Sequence, residues 1–369
     1  MNSYKEALQS IENKDKLLKK ILNENRNYKK FFENLSEAIL IIQKNKIVEA
    51  NKMMCKLLGR DISKIINTNI FYYSKDRYKN VLKQKIEYVI KNKIKDYKFE
   101  YECIFPNGKE MFVQAIIGYL EYIEKPAVYI LFRDSTEIKK ELNRAALFQR
   151  NSLQTEFDFG NCMDIERIYV PAQIISGDFY RICRKDETSI IGALIDVRGK
   201  GISAAMSISA INILFLQEIN NNNNQPIKIV ENLNKTLVRF YDETYIAVCV
   251  FKIDLEKKIL NAVGAGINKF FYISGDKEFK EEIIRGPFLG MFEDSKFEEV
   301  NINLESNDKI IFFTDGFEFI LKKEKYIKEV LIKNNIKRVI KTIESSIENE
   351  ILDKGKLEDD CTVLAVNIK

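Results

Sequence analysis

Histidine is absent from all 369 residues of this chain. Its absence excludes the Ser-His-Asp triad, zinc held by imidazoles, the phospho-accepting histidine of a sensor kinase and His-ligated haem. Any metal chemistry would then rest on oxygen ligands, which suit Mg2+ or Mn2+. Long basic blocks are also missing: 59 Lys and Arg stand against 54 Asp and Glu, a net charge of +5, and the lysines are scattered among acidic neighbours. That is a solvated surface more than a nucleic-acid footprint, so no nucleic-acid partner is expected. The six cysteines, at 55, 103, 162, 183, 249 and 361, form no CxxC pair, and most sit in apolar runs. Reduced thiols in a cytoplasmic protein are the expectation. The N-terminus lacks a signal-peptide core, and no run is read as approaching the roughly 20 apolar residues of a spanning helix, so no membrane partner is expected.

Glycine is scarce in the first part of the chain. Only Gly59, Gly108 and Gly118 precede residue 155, and the other 12 of the 15 follow it. The length suggests two domains of roughly 100–200 residues, and this division implies two different kinds. Residues 1–27 carry Ala7, Ile11, Leu18, Ile21 and Leu22 at helical spacing, an amphipathic helix whose stripe a second copy of the chain could cover. Two short strands, Ala38–Gln43 and Lys46–Ala50, then helical sequence including Arg77–Lys91, then strands at Tyr97–Phe105, Lys109–Tyr119 and Ala127–Asp134 follow. Pro106-Asn107-Gly108 reads as the turn between the first two of the last three. This order, with Asn34-Leu35-Ser36-Glu37-Ala38-Ile39 at entry, Ile47-Val48-Glu49-Ala50-Asn51 before the first helix and Phe132-Arg133-Asp134-Ser135-Thr136-Glu137 at exit, resembles a PAS sensor domain over 28–136. The resemblance implies an antiparallel sheet with helices that either senses a small ligand or serves as a ligand-free dimerisation module, and a homodimer formed through it and its flanking helices. Cys55 is not set in a flavin-binding signature, and the ligand is unknown. Residues 137–155 read as a helical connector, carrying register or acting as a spacer.

Over 156–369, strand-like runs come first, at Ile165–Ala172, Asp178–Cys183 and Ser189–Val197. Helices are expected at Ile202–Ile219 and about Ile227–Tyr241, then strands at Tyr245–Asp254, Lys258–Gly264, Lys269–Ser274, Phe297–Asn303 and Lys309–Thr314, helices around Ile327–Ile351 and a last strand, Cys361–Ile368. Such grouping makes an α+β layered domain, not an alternating βαβ series. In this scheme Asp178 opens a strand, Asp196 and Asp315 close others, and Asp359 precedes the last. Any one of them is explained as a turn residue or helix cap. Four beside glycine turns or another Asp suggest a charge cluster, whose repulsion would cost several kcal/mol unless cations neutralise it. Two divalent ions about 3.5–4 Å apart could do so and clamp a phosphoryl group. At Asp196-Val197 a backbone carbonyl is a further candidate ligand.

Ser176-Gly177-Asp178-Phe179-Tyr180, Asp196-Val197-Arg198-Gly199-Lys200-Gly201 with Ala204-Ala205, Gly264-Ala265-Gly266, Gly286-Pro287-Phe288-Leu289-Gly290, Thr314-Asp315-Gly316 and Asp359-Asp360-Cys361-Thr362 occur in that order. Together they resemble the metal-dependent PP2C-type Ser/Thr phosphatases of the SpoIIE and RsbU-like bacterial branch. The resemblance implies a central β-sandwich flanked by helices. It makes Asp196 the catalytic bridge between two Mn2+ or Mg2+ ions, with the Val197 carbonyl a ligand and Asp178, Asp315 and Asp359 completing the sites directly or through water. By the same resemblance the substrate is a phosphorylated anti-anti-sigma protein of the STAS type, and its dephosphorylation releases a sigma factor. Several positions depart from the pattern: Arg181, Arg198, Ala247, Ile267, Lys269 and Phe319, with Glu318 one residue before the expected Glu. Arg181 and Arg198 are either solvent-exposed or contacts for phosphate or an acidic substrate face. The alternative from another class is a catalytically weak PAS-linked scaffold that binds the phosphoprotein without turnover.

Overall fold

The structure is a computed structural model that describes residues 26–104, 108, 110–153, 162–199, 201–221, 224–240, 245–275, 278–323 and 326–369. The helix expected over 1–27 lies, up to residue 25, outside the described residues, as does the Pro106-Asn107 part of the expected turn. The chain divides into two units, Met1–Lys140 and Glu141–Lys369.

The first unit opens with α1 (26–34) and continues through β1 (Ala38–Gln43), β2 (Lys46–Ala50), α2 (Lys52–Leu58), α3 (Ile62–Ile65), a 3-10 turn at Ile70–Tyr73, α4 (Asp76–Asn92), β3 (Tyr97–Ile104), β4 (Glu110–Tyr122) and β5 (Lys125–Asp134). The strands form one antiparallel sheet in the order β2-β1-β5-β4-β3. Lys44 and Asn45 both take positive φ between β1 and β2, the two-residue turn that matches strand twist. On α4, Leu82, Ile86 and Val89 recur at helical spacing and join Leu40, Ile42, Ile47, Ile117 and Ile130 in one core.

Asn51 ties this unit together from a fully buried position. Its Oδ1 accepts from Ile39 N (3.1 Å) and from Met54 N (2.9 Å), capping α2, while its Nδ2 donates to Phe32 O (3.3 Å) and Glu37 O (2.9 Å). One amide thus satisfies groups of α1, the loop before β1, β1 itself and α2.

The division between the units falls within α5 (Thr136–Ser152). The second unit then contains β6 (Met163–Val170), β7 (Asp178–Arg184), β8 (Ser189–Val197), α6 (Ile202–Asn220), α7 (Pro226–Phe240), β9 (Ile246–Asp254), β10 (Ile259–Ala265), β11 (Lys269–Ile273), β12 (Phe279–Ile283), β13 (Glu299–Asn303), β14 (Lys309–Phe313), α8 (Asp315–Lys323), α9 (Tyr326–Lys333), α10 (Ile336–Lys354) and β15 (Cys361–Ile368). Two antiparallel sheets, β13-β10-β9-β8-β7 and β12-β11-β14-β15-β6, pack face to face. The period of two along β14 shows why: Ile310 and Phe312 enter the core shared with the other sheet, α6 and α7, whereas Ile311 and Phe313 face Ile327, Val339 and Ile343 of α9 and α10. Phe251 and Phe312 stack across the sandwich with centroids 4.2 Å apart. The result is helices, sheet, sheet, helices: a mixed α and antiparallel β fold.

Several sequence expectations change here. Asp315 does not close a strand but opens α8, a helix the sequence reading missed. The helical stretch expected around Ile327–Ile351 is two helices, because Asn335 caps α10 by accepting from Arg338 N. Strand β12, Phe-Lys-Glu-Glu-Ile, was not anticipated, being a charged edge strand with little buried. Helix α6 overturns the expectation of no spanning-length run: with 19 residues and mean hydropathy 1.5 it is long and apolar enough to cross a membrane by length and composition. Its stripe of Ala204, Ile208, Ile211, Phe215 and Ile219 is packed into the core of the second unit, while Ile202, Met206 and Ile213 are exposed.

Replacing Asn51 by Ala removes a cap and strands buried backbone groups, so a loss of about 2–4 kcal/mol is expected. Hydrogen exchange over β1 and α2 in the full chain measures it; unchanged protection there would show that the amide is dispensable.

Candidate active site

Strand pairing sets the first two acids side by side. Asp178 begins β7 and Asp196 lies near the end of β8, and the antiparallel register makes them direct partners. Asp315 follows β14 at the start of α8, and Asp359 precedes β15. Strands β14 and β15 are neighbours, so these two acids also reach one edge of their sheet.

The two edges are joined through Asp178. Its carboxyl is 1% exposed, and its Oδ2 accepts from Thr314 Oγ1 (2.8 Å) and Thr362 Oγ1 (2.7 Å). Thr314 is the residue before Asp315, and Thr362 follows the Asp359-Asp360 pair by two. The threonines are also bonded to each other: Thr314 N donates to Thr362 O, and Thr362 N to Thr314 Oγ1, both at 3.0 Å. Burial, with the charge of Asp196 adding to it, pushes the Asp178 carboxyl well above the usual carboxylate range, and the two hydroxyl donors oppose that rise.

Asp360, the second acid of the pair, has a separate task that its sequence position did not reveal. Its carboxylate accepts from Ala172 N and Gly177 N, both at 2.6 Å, and so holds the loop leading into Asp178. Gly177 O in turn accepts from Val197 N at 2.9 Å. A Cβ on Gly177 would lie 2.9 Å from Val197 O and 3.0 Å from Gly199 O, and one on Gly316 would lie 2.1 Å from Asp360 O. Both glycines are therefore required by close backbone approach at the acidic stretches.

A cavity of about 430 Å³ opens here, lined by Asp196, Val197, Arg198, Asp315, Asp359 and Asp360, with Tyr245, Ala247, Phe288 and Met291 as a less polar wall. Asp178 is not among the lining residues; it lies buried as the register partner of Asp196. The sequence reading did not single out Asp360, Tyr245 or Met291. The acidic pair was the available signal for Asp360, and nothing local marks the other two. Arg181, one of the two arginines considered for phosphate, instead donates from Nη1 to Ser152 O (3.3 Å). Lys269 pairs with Glu281 (3.2 Å) and Glu318 (3.1 Å).

The donor set is all oxygen. Among the described residues no three acidic or thiol side chains close on one point, so the carboxylates line the cavity separately instead of forming a cage. That arrangement fits Mg2+ or Mn2+ at a catalytic position, where one or two carboxylates hold the ion and water or a phosphate completes the coordination.

The first unit is thus an antiparallel domain, and the second a helix–sheet–sheet–helix domain with acids at its strand ends. Residues 36–137 match the PAS domain family, and residues 186–369 match the family described as stage II sporulation protein E (SpoIIE). The chain is 26% identical over 330 residues to the phosphoserine phosphatase RsbU of Bacillus subtilis (strain 168), covering 85% of this chain and 96% of that protein. It is 28% identical over 185 residues to the phosphoserine phosphatase RsbP of the same organism, covering 48% of this chain and 45% of that one. The SiaA-PP2C domain of Pseudomonas aeruginosa shares the fold, with a TM-score of 0.54 and 18% identity over 63% of this chain and 98% of that one. The chain belongs to the PP2C-type serine phosphatase family, as a PAS domain followed by a SpoIIE-family phosphatase domain.

Removing one hydroxyl from the buried carboxyl tests its cradle. Thr362→Val is expected to cost the second unit about 1–3 kcal/mol in chemical unfolding of the chelator-treated full chain. The deficit should grow as pH rises: the folded pKa of Asp178 is already raised, so stability is lost as pH climbs through it, and losing a donor raises it further. A pH-independent deficit would mean that Asp178 does not ionise against this hydroxyl.

Proposed function

We propose that the chain is a metal-dependent protein serine/threonine phosphatase controlled by its PAS domain. Its substrate on this reading is a phosphoserine or phosphothreonine of a small anti-anti-sigma protein of the STAS type, in the bacterial cytoplasm, and the working form is a homodimer through the PAS domain and flanking helices. The observation that carries the reading is the cavity lined together by Asp196 and Val197 at the end of β8 and by Asp315 and Asp359 beside β14 and β15 of the other sheet. Support also comes from the similarity to RsbU and RsbP, both phosphoserine phosphatases.

In this assignment Asp196, the Val197 carbonyl, Asp315 and Asp359 would hold two Mn2+ or Mg2+ ions. Such ions supply charge neutralisation for the phosphoryl group and an activated water. Asp178, being buried, acts through its position: it fixes the Thr314-Asp315 and Asp360-Cys361-Thr362 segments by the two hydroxyls it accepts. Arg198 is exposed and lines the same cavity, so its guanidinium is set to bind phosphoryl oxygens in an otherwise acidic site. Phe288 and Met291 form the wall against which the chain flanking the phosphorylated residue would pack.

Hydrolysis of a phosphoserine protein of the STAS type by the full chain with Mn2+ tests the assignment. Turnover is expected to vanish with chelator and to fall about a hundredfold or more in Asp196→Asn. No turnover by the wild type, or equal turnover by the variant, would leave the non-turning scaffold as the better reading. Arg198→Met should lower kcat/KM about tenfold, mostly through KM, since it removes a charge-assisted contact to bound phosphate. An unchanged KM would remove Arg198 from the substrate site.

A further inference from the structure

Gln149, near the end of α5, is 7% exposed, and its amide is spent on one residue. Its Nε2 donates to Ser176 O (3.0 Å), and its Oε1 accepts from Ser176 N (3.1 Å). A primary amide carries a donor and an acceptor side by side, so it pairs with a backbone residue as a neighbouring strand would. A buried amide left unpaired is costly, which makes this two-bond contact the reason such a residue can stand there.

The residue so gripped is the first of Ser176-Gly177-Asp178. Gly177 is held by the carboxylate of Asp360 and by Val197 N, and Asp178 by the hydroxyls of Thr314 and Thr362. Ser176 Oγ also accepts from Asp178 N at 3.0 Å. Three consecutive residues are thus fixed by different parts of the second unit, and Gln149 supplies the hold on the first. We propose that Gln149 is a positioning residue for the carboxylate site, fixing the Ser176-Gly177 backbone and through it the placement of Asp178 and Val197. The inference rests on the metal-dependent phosphatase reading above.

A competing role for Gln149 is only to dock α5. The second attachment near this end of the helix, Arg181 Nη1 to Ser152 O, separates the two, because it holds the same segment without touching the Ser176 loop. The full-length wild type, Gln149→Met and Arg181→Met are compared. Methionine keeps the volume and helix propensity of Gln149 while removing both bonds. Mn2+ affinity is read from the free-ion electron paramagnetic resonance signal, and amide exchange over 174–179 is read without metal. Gln149→Met should weaken Mn2+ binding about tenfold, the low end of what losing a direct outer partner of a ligand costs because Gln149 acts one step further back, and speed exchange over 174–179. Its kcat should fall by more than its KM changes. Arg181→Met should leave Mn2+ affinity within about twofold of wild type. If Gln149→Met does not fold, Gln149→Glu, which keeps the acceptor for Ser176 N and loses the donor, should show a smaller weakening in the same direction. Wild-type affinity and exchange in the Gln149 variant, or equal weakening in Arg181→Met, would overturn the positioning role while leaving the phosphatase reading standing. A wild type that neither binds Mn2+ nor turns over substrate would fail that reading first and take this inference with it.

Discussion

Everything at the acidic edge depends on one buried carboxyl accepting two hydroxyls. Asp178 sits on β7 in one sheet, and its donors belong to the other, Thr314 just after β14 and Thr362 within β15. Two stacked sheets have no hydrogen bonds between their backbones, so their relative sliding is limited only by side-chain packing. A polar clasp at the edge adds direction to that packing. The same two bonds draw the backbones next to Asp315 and Asp359 towards Asp178, which is itself the register partner of Asp196. Together with Gly177 N donating to the Asp360 carboxylate, this interaction sets the separation of acids more than 100 residues apart in sequence.

The clasp has an electrostatic consequence. Asp178 is driven above the ordinary carboxylate range first by burial and then by Asp196, while both threonines favour its charged form. These influences oppose one another in metal-free protein, and a cation among the lining acids would relieve the repulsion between Asp178 and Asp196. Asp360 adds a smaller push in the same direction on Asp178, while its own oxygens are occupied by Ala172 N and Gly177 N. Both adjacent aspartates line the cavity, but Asp359 is exposed, whereas Asp360 is 4% exposed and bonded to two backbone amides.

Legibility in the sequence followed the physics of each element. Strands Ser189–Val197 and Cys361–Ile368 were readable to the residue because both are long β-branched runs buried along nearly their whole length. Helix α8 was missed because Phe-Glu-Phe-Ile continues the apolar character of β14, and only the backbone after Thr314 decides that Asp315 starts a turn of helix. The acids of the candidate site stood out because glycines or a second acid mark them. Gln149 did not, since a glutamine on a helix looks like a solvated residue until a loop from elsewhere in the chain closes on it. Asp360 fell between: its charge was visible, but its partners, 188 and 183 residues away, were not.

The positions that depart from the family pattern sort by the same geometry. Lys269 and Glu318 are not independent changes, because they form an ion pair with each other, joined by Glu281 of the edge strand β12. They line a cavity of about 450 Å³ with Phe271 and Leu321, distinct in its lining from the acidic one. Ile267 is buried in the core of the second unit, Arg181 is committed to Ser152 O, and the side chain of Phe319 lies outside what the structure describes. Arg198 and Ala247 remain, and both line the acidic cavity. A guanidinium adds charge and a fixed fork of donors at the mouth, whereas Ala247 leaves room in the wall. What distinguishes this chain's acidic cavity from the family pattern should therefore lie in those two residues, with the acids beneath them unaltered.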